Sequence, residues 1–135
     1  MCIDICSQKV KAVTGQVGSS PAIFVWNTQT GEKESRAKIA KGARGIAAVG
    51  FSEDNSMFAA VDLNNEHRVY VFKFDGQQVM KANGDTNRIK DVAWSRKAGS
   101  TKFATAGTKH IYFWDSSDPS FKKKGIFSGK PMTSF

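Results

Sequence analysis

Cysteine, histidine and proline are all scarce in this chain, at two, two and three residues. Cys2 and Cys6 have no second pair with which to complete a four-ligand zinc site, and they give no disulfide framework. His67 and His110 stand far from those thiols in sequence, so no metal and no other cofactor is expected. No apolar run approaches the ~20 residues that span a bilayer, and the start carries no signal-peptide pattern. A membrane partner is therefore not expected, and the cytoplasm is the expected compartment. No segment holds helical periodicity with caps, which predicts an essentially all-β chain. Gly15, Gly18, Gly31, Gly42, Gly45, Gly76, Gly84 and Gly107 never form a phosphate-binding fingerprint between a strand and a helix; they read as turn residues. Asp62, Asp85 and Asp91 are too scattered in sequence to argue for a paired-carboxylate active site. The expectation is a protein that is not an enzyme and has no catalytic residues. A hydrolase or nucleotide-binding protein would need convergent titratable groups in a concave pocket, and the sequence offers no such set.

What is present is aromatic and basic. Of 135 residues, 40% are hydrophobic and 24% charged, with ten Phe and three Trp as the main core material. That is a globular composition sufficient for one ordinary domain. The formal net charge of +8 suits an acidic partner.

The stretch from Lys102 to Asp115 shows the local grammar. A short apolar run breaks at Gly107, and an alternating run then ends at Trp114-Asp115, which reads as a β-hairpin. The same pattern occurs three times. Residues 1–9 form an N-terminal segment with a partial strand. Residues 10–41 form an incomplete first unit with strands at 10–16, 22–26 and 33–39. Residues 42–84 hold strands at 46–51, 57–62, 69–74 and 77–81, with Asp75-Gly76 as a hairpin turn. Residues 85–127 hold strands at 89–94, 102–106, 110–114 and 123–127, and 128–135 is a tail or the start of a further unit. Phe51-Ser52 returns as Trp94-Ser95 after 43 residues, and Trp26 returns near Phe72 and at Trp114 after 46 and 42. A period near 40–45 residues with four short strands per unit is the signature of propeller blades. Propellers need about four to eight blades. About three four-stranded antiparallel blades are too few to close one, so the remaining blades are expected from the rest of the protein or from another chain.

These residues resemble WD repeats. Ile23-Phe24-Val25-Trp26-Asn27 and Ile111-Tyr112-Phe113-Trp114-Asp115 are similar to that family's strand ending in Trp-Asp. Phe51-Ser52-Glu53-Asp54 resembles its Phe-Ser-Pro-Asp turn, and the middle unit has Phe72-Lys73 in place of Trp-Asp. Within the family, the order of four segments resembles the first propeller of echinoderm microtubule-associated protein-like proteins. These are Thr14-Gly15-Gln16-Val17-Gly18, Val61-Asp62-Leu63-Asn64-Asn65-Glu66-His67, Gly107-Thr108-Lys109-His110-Ile111-Tyr112-Phe113-Trp114, and Lys124-Gly125-Ile126-Phe127 with Lys130-Pro131. The resemblance implies a WD-repeat β-propeller that associates with microtubules or soluble tubulin. It further implies a place in the cytoskeleton, at the spindle or cilium. A general WD-repeat scaffold without tubulin contact is the alternative.

Taken singly, Trp26, Phe51, Trp94 and Trp114 read as packing residues. Asp54, Asp62 and Asp115 end strands and can hold turns through backbone N–H groups. His67 and His110 read as hydrogen-bonding structural residues, and Gly107 as a turn. The functional lead is basic. Lys38, Lys41 and Arg44 cluster at one connection between units, Arg88 and Lys90 at the equivalent place one repeat later, and Lys122, Lys123 and Lys124 near the next. Together they predict a periodic basic rim for an acidic protein partner. Nucleic acid is disfavoured, because no RNA-binding aromatic motif or recognition helix accompanies the charge.

Overall fold

The computed structural model describes residues 1–6 and 10–126, all of whose regular structure is β. β1 (Cys2–Ile5), β2 (Lys11–Gly15), β3 (Ile23–Asn27) and β4 (Lys33–Ala37) form the first sheet, in that spatial order. β5 (Ile46–Phe51), β6 (Met57–Asp62), β7 (Val69–Lys73) and β8 (Gln78–Ala82) form the second. β9 (Ile89–Trp94), β10 (Lys102–Gly107), β11 (His110–Asp115) and β12 (Asp118–Lys124) form the third. Every pairing is antiparallel between sequence neighbours. This is an all-β fold of three four-stranded, blade-like sheets that are not closed into a ring.

Two expectations are corrected. The first unit does not lack a strand, because Cys2–Ile5 pairs with β2 from Cys2↔Gly15 to Ile5↔Ala12. A four-residue strand exposed on one face gives little periodic signal, which is why residues 1–9 read only as a partial strand outside the unit. The last outer strand starts earlier than position 123. It runs from Asp118 through Pro119 to Lys124, with a register shift opposite Trp114 and Asp115. An outer strand tolerates a proline because one of its edges needs no ladder partner. Positions 127–135 lie outside the described residues, as do 7–9.

The sheets stack through their faces. β1, β5 and β9 are spatial neighbours, and the Asp4 carboxylate accepts the Phe51 N–H at 2.9 Å across the first junction. Val13, Ile23 and Val25 of the first sheet meet Phe51, Phe58, Tyr70 and Phe72 of the second. The opposite face of the second sheet, with Val61, Val69 and Val71, meets Val92, Trp94, Phe103 and Trp114. A sheet covered on both faces needs apolar residues at every position, and Val69 to Phe72 are accordingly all buried without alternation. The outer strands β4 and β12, by contrast, read KESRA and DPSFKKK. Such charge blunts an open edge. Ile3 and Ile5, both 63% exposed, and Phe113, 43% exposed, lie on the outward faces of the first and third sheets.

Gly76 shows how tightly neighbouring sheets mesh. Its φ is +90°, and a Cβ there would lie 2.4 Å from the Arg36 carbonyl oxygen. The Asp75-Gly76 turn thus needs glycine for its backbone and for the adjoining sheet.

Candidate interaction surface

Strand parity sorts the connections between two ends of the stack. Segments 16–22, 38–45, 63–68, 83–88 and 108–109 lie at one end; 28–32, 52–56, 74–77, 95–101 and 116–117 lie at the other. At the first end the backbones are tied together. Gly18 N–H donates to Arg44 O at 2.9 Å, Arg44 N–H to Leu63 O at 2.8 Å, and Leu63 N–H to Gly45 O at 2.7 Å. Gly84 N–H donates to Glu66 O at 3.1 Å and Thr108 N–H to Arg88 O at 2.9 Å. These bonds make one continuous rim out of connections from all three sheets.

Charge is unequally divided between the ends. The tied rim carries Lys38, Lys41, Arg44, Arg68, Arg88 and Lys109 against Glu66 and Asp85, and Lys90 lies just inside β9. The opposite connections carry Glu32, Glu53, Asp54 and Asp75 against Arg96 and Lys97. Lys38, Lys41, Arg44, Arg88, Lys90 and Lys109 are exposed. Among the described residues the ion pairs are Lys11–Glu34 and Arg68–Asp62, so the exposed rim cations have no carboxylate within salt-bridge distance. Fields of this kind steer an acidic partner toward one end and weaken with salt.

Beneath the rim lies a buried ion pair. Asp62 is fully buried and Arg68 is 8% exposed. Arg68 Nε donates to Asp62 Oδ2 at 2.7 Å, and its backbone N–H donates to Oδ1 at 2.9 Å. The Tyr70 hydroxyl donates to Asp62 Oδ2 at 3.1 Å and accepts the Ala40 N–H at 3.2 Å. Arg68 Nη2 then reaches Ala40 O at 3.2 Å and Lys41 O at 3.1 Å. Burial pushes the Tyr70 phenol above its ordinary pKa; the Asp62 charge acts the same way, against the Ala40 N–H. Each partner offsets the other's desolvation, and the set pins the 38–44 connection onto the second sheet. Sequence reasoning placed Asp62 as a strand end and missed Arg68. The signal was available as a lone arginine opening the apolar run 69–72 six residues after an aspartate.

A second polar set fixes the 83–88 connection. His67, at φ 45°, donates from Nδ1 to Asp85 O at 2.7 Å. The Tyr112 hydroxyl donates to Asp85 Oδ2 at 3.1 Å. Burial opposes ionisation of Asp85, but the Asn87 N–H groups and the Tyr112 hydroxyl outweigh it and hold its pKa below the ordinary value. Burial also raises the Tyr112 phenol, with the Asp85 carboxylate adding to it. His110 is buried, with Nε2 3.3 Å from Asn87 O. A Cβ on Gly107 would lie 2.0 Å from Arg88 O, so only glycine allows the 83–88 backbone to close onto β10.

The three lysines at 122–124 are not a loop cluster. They lie on β12, where alternation separates them. Lys122 Nζ donates to Asn83 O at 3.0 Å and Gly84 O at 2.7 Å, and sits 4.6 Å from the Tyr112 ring centroid. Lys124 lies on that same side, at 6.0 Å from the Tyr112 ring. Lys123 faces the other way, beside Phe113 and Phe121.

The other sequence-selected residues lie in the stack or at the opposite end. Phe51 packs edge-on against Phe58 and Phe74. Trp94 donates its indole N–H to Gly50 O at 2.9 Å across a sheet junction. Trp114 and Trp26 each donate to a threonine. Asp54 accepts from Ser52 and Ser56, and Asp115 from Thr101 and Ser117. Among the described residues no three His, Cys, Asp or Glu side chains converge to hold a metal ion. The candidate site is the charged surface of the tied rim.

No family model matches the chain. It is 40% identical over 135 residues to the ciliary WD repeat-containing protein ctxp80 of Euplotoides octocarinatus, a match covering 97% of this chain and 19% of that protein. It is 26% identical over 137 residues to echinoderm microtubule-associated protein-like 2 of Homo sapiens, covering 93% of this chain and 21% of that protein. The chain thus spans about a fifth of the length of these curated relatives. The β-propeller domain of Cps50 (Swd1) from Myceliophteria thermophila superposes with a TM-score of 0.74 at 11% identity, covering 99% of this chain and 40% of that one. That likeness shows the fold. Together, the sequence relatives and the fold make this chain a homologue of the WD-repeat β-propeller proteins.

Proposed function

We propose that this chain is a protein-interaction scaffold whose basic rim contacts microtubules or soluble tubulin. The observation that carries the scaffold reading is the rim itself: connections from three sheets, hydrogen-bonded into one surface, present exposed cations that have no carboxylate partner among the described residues. Rigid strands hold such loops in place, and binding residues concentrate on loops of this kind. Support for the tubulin partner comes from the four family-like segments and from relatives whose names describe ciliary and microtubule-associated proteins. On this reading the protein works in the cytoplasm, at the cytoskeleton or cilium. Further blades, from the same protein or another chain, cover the outward faces bearing Ile3, Ile5 and Phe113.

A second reading is a general WD-repeat scaffold without tubulin contact. It is favoured by the short span of the match, since about four fifths of each relative lies outside it. Co-sedimentation of the intact protein with microtubules across a salt series separates the two. Pelleting at low salt that fades as salt rises supports the tubulin contact. Absence from the pellet at low salt removes it and leaves the general scaffold.

A further inference from the structure

The 38–44 connection faces the 19–21 turn across a groove of about 400 Å³. Ser19 and Ser20 line one side, and Lys38, Lys41 and Gly42 the other. All five are exposed, and among the described residues no carboxylate lines the groove. Its floor is held from within, because the Ala40 and Lys41 carbonyls are turned onto the buried Arg68 guanidinium and the Ala40 N–H is held by Tyr70. Two carbonyl dipoles that could repel an incoming anion are thereby directed inward. The lysine-bearing loop is ordered in advance, which lowers the entropy lost on binding.

We propose, building on the interaction-scaffold reading, that this groove receives an extended acidic peptide segment of a protein partner. Lys38 and Lys41 are its charge contacts, and Ser19 and Ser20 are its hydroxyl donors. Arg68 is a positioning residue that acts through the loop backbone. An extended chain repeats its side-chain direction every ~7 Å, so alternate carboxylates of one strand can address a row of cations along a loop. Arg36 also lines the groove and adds a third cation to it. A nucleic acid is a poorer occupant, since the groove presents no aromatic ring for bases to stack on.

The test is fluorescence anisotropy of a labelled oligoglutamate peptide titrated with the intact protein at several salt concentrations. Lys38→Glu with Lys41→Glu is expected to weaken binding at least tenfold and to flatten the salt dependence. Arg96→Glu with Lys97→Glu, at the opposite end, is expected to change it less than twofold. Arg68→Met is expected to weaken binding several-fold while leaving the salt slope unchanged, which a lost charge contact would not do. Tyr70→Phe, which removes only the hydroxyl under Ala40, gives the same signature should Arg68→Met fail to fold. Equal losses from both ends, or an unchanged affinity in the Lys38/Lys41 variant, would overturn the proposal. So would tighter binding of a single-stranded oligonucleotide that the same variant abolishes. Microtubule pelleting of the Lys38/Lys41 variant keeps the two readings apart. Normal pelleting together with unchanged peptide affinity overturns the groove and leaves the tubulin contact standing. Groove-dependent peptide binding by a protein that never pellets supports the groove and removes tubulin.

Discussion

The Trp114 indole N–H donates to the Thr105 hydroxyl at 2.9 Å inside the third sheet, and Trp26 makes the same bond to Thr14 in the first. The middle sheet has neither member. Phe72 stands at the tryptophan position and Ala60 at the threonine position, as the register Thr14↔Phe24, Ala60↔Tyr70 and Thr105↔Tyr112 shows. Donor and acceptor are absent together. Leaving one buried polar group without its partner costs about 1–3 kcal/mol, whereas replacing both can be nearly neutral. Thr105→Ala is therefore expected to destabilise by about 1–3 kcal/mol. Trp114→Phe combined with Thr105→Ala should cost less than the sum of the two single changes. A urea-denaturation double-mutant cycle measures the coupling; additive costs would show that the bond contributes nothing.

The pair beneath the rim should behave differently from any surface cation. Removing one partner of a buried ion pair costs about 3–5 kcal/mol, because the other charge is stranded. Arg68→Met is expected to fall in that range, and Asp62→Leu with Arg68→Met to recover a large part of it. Thermal unfolding of the three variants checks this. Amide exchange across residues 38–44 should quicken in Arg68→Met, because the Ala40 and Lys41 carbonyls lose their partner. A variant as stable as the parent would mean that the loop holds its shape without the arginine.

Much of this architecture was legible in the chain, and its limits have physical causes. Phe51 and Trp94 occupy matching strand ends, and their spacing gives the period directly. Alternation from His110 to Trp114 and the Asp75-Gly76 turn are local signals of the kind that sequence carries well. β1 reads only as a partial strand outside the first unit because Cys2–Ile5 is short and half-exposed, so its pattern is set by a neighbouring strand. β12 is expected too late in the chain because Asp115 to Pro119 reads as a turn, and only the bulge opposite Trp114 accommodates Asp118 and Pro119 as strand. The tie from Arg68 to Ala40 and Lys41 spans different strands and a loop, and no local pattern encodes it. The common end of Lys38, Lys41, Arg44, Arg88 and Lys90 follows from strand parity once the repeat is known. Parity says nothing about what those cations bind.

Lys122 and Lys123 are adjacent and both exposed, yet they should respond unequally to truncation. Lys122 ties two carbonyls of the 83–84 backbone and lies over Tyr112 and, at 5.4 Å, over Trp114. Its methylenes and ammonium thus bridge the second and third sheets. Charged hydrogen bonds contribute about 1.5–3 kcal/mol when well protected, and exposure lowers that figure. Lys122→Met is expected to cost about 1 kcal/mol and Lys123→Met less than about 0.5 kcal/mol. Denaturant midpoints compared at constant slope distinguish them. Equal effects would place both lysines in the solvated class.

Acid should loosen the turns at the end opposite the basic rim. Asp115 accepts the hydroxyls of Ser117 and Thr101, each at 2.6 Å, and the Ser117 N–H at 2.9 Å. The Ser117 hydroxyl is the largest cause holding its pKa below the ordinary aspartate value, followed by Thr101. Asp54 is lowered in the same way by the Ser56 and Ser52 hydroxyls. A carboxylate whose pKa is lower folded than unfolded contributes stability above its unfolded value and loses it as pH falls through the folded one. The contribution of both turns is therefore complete at neutral pH and disappears below the ordinary aspartate range. Asp115→Asn with Asp54→Asn removes the titrating groups, so it should lower stability at pH 7 and flatten the decline between roughly pH 4 and 2. Stability measured by urea midpoint at each pH shows the difference. A variant whose profile stays parallel to the parent's down to pH 2 would assign the acid limb to other carboxylates, with Asp85 under the rim the next to replace.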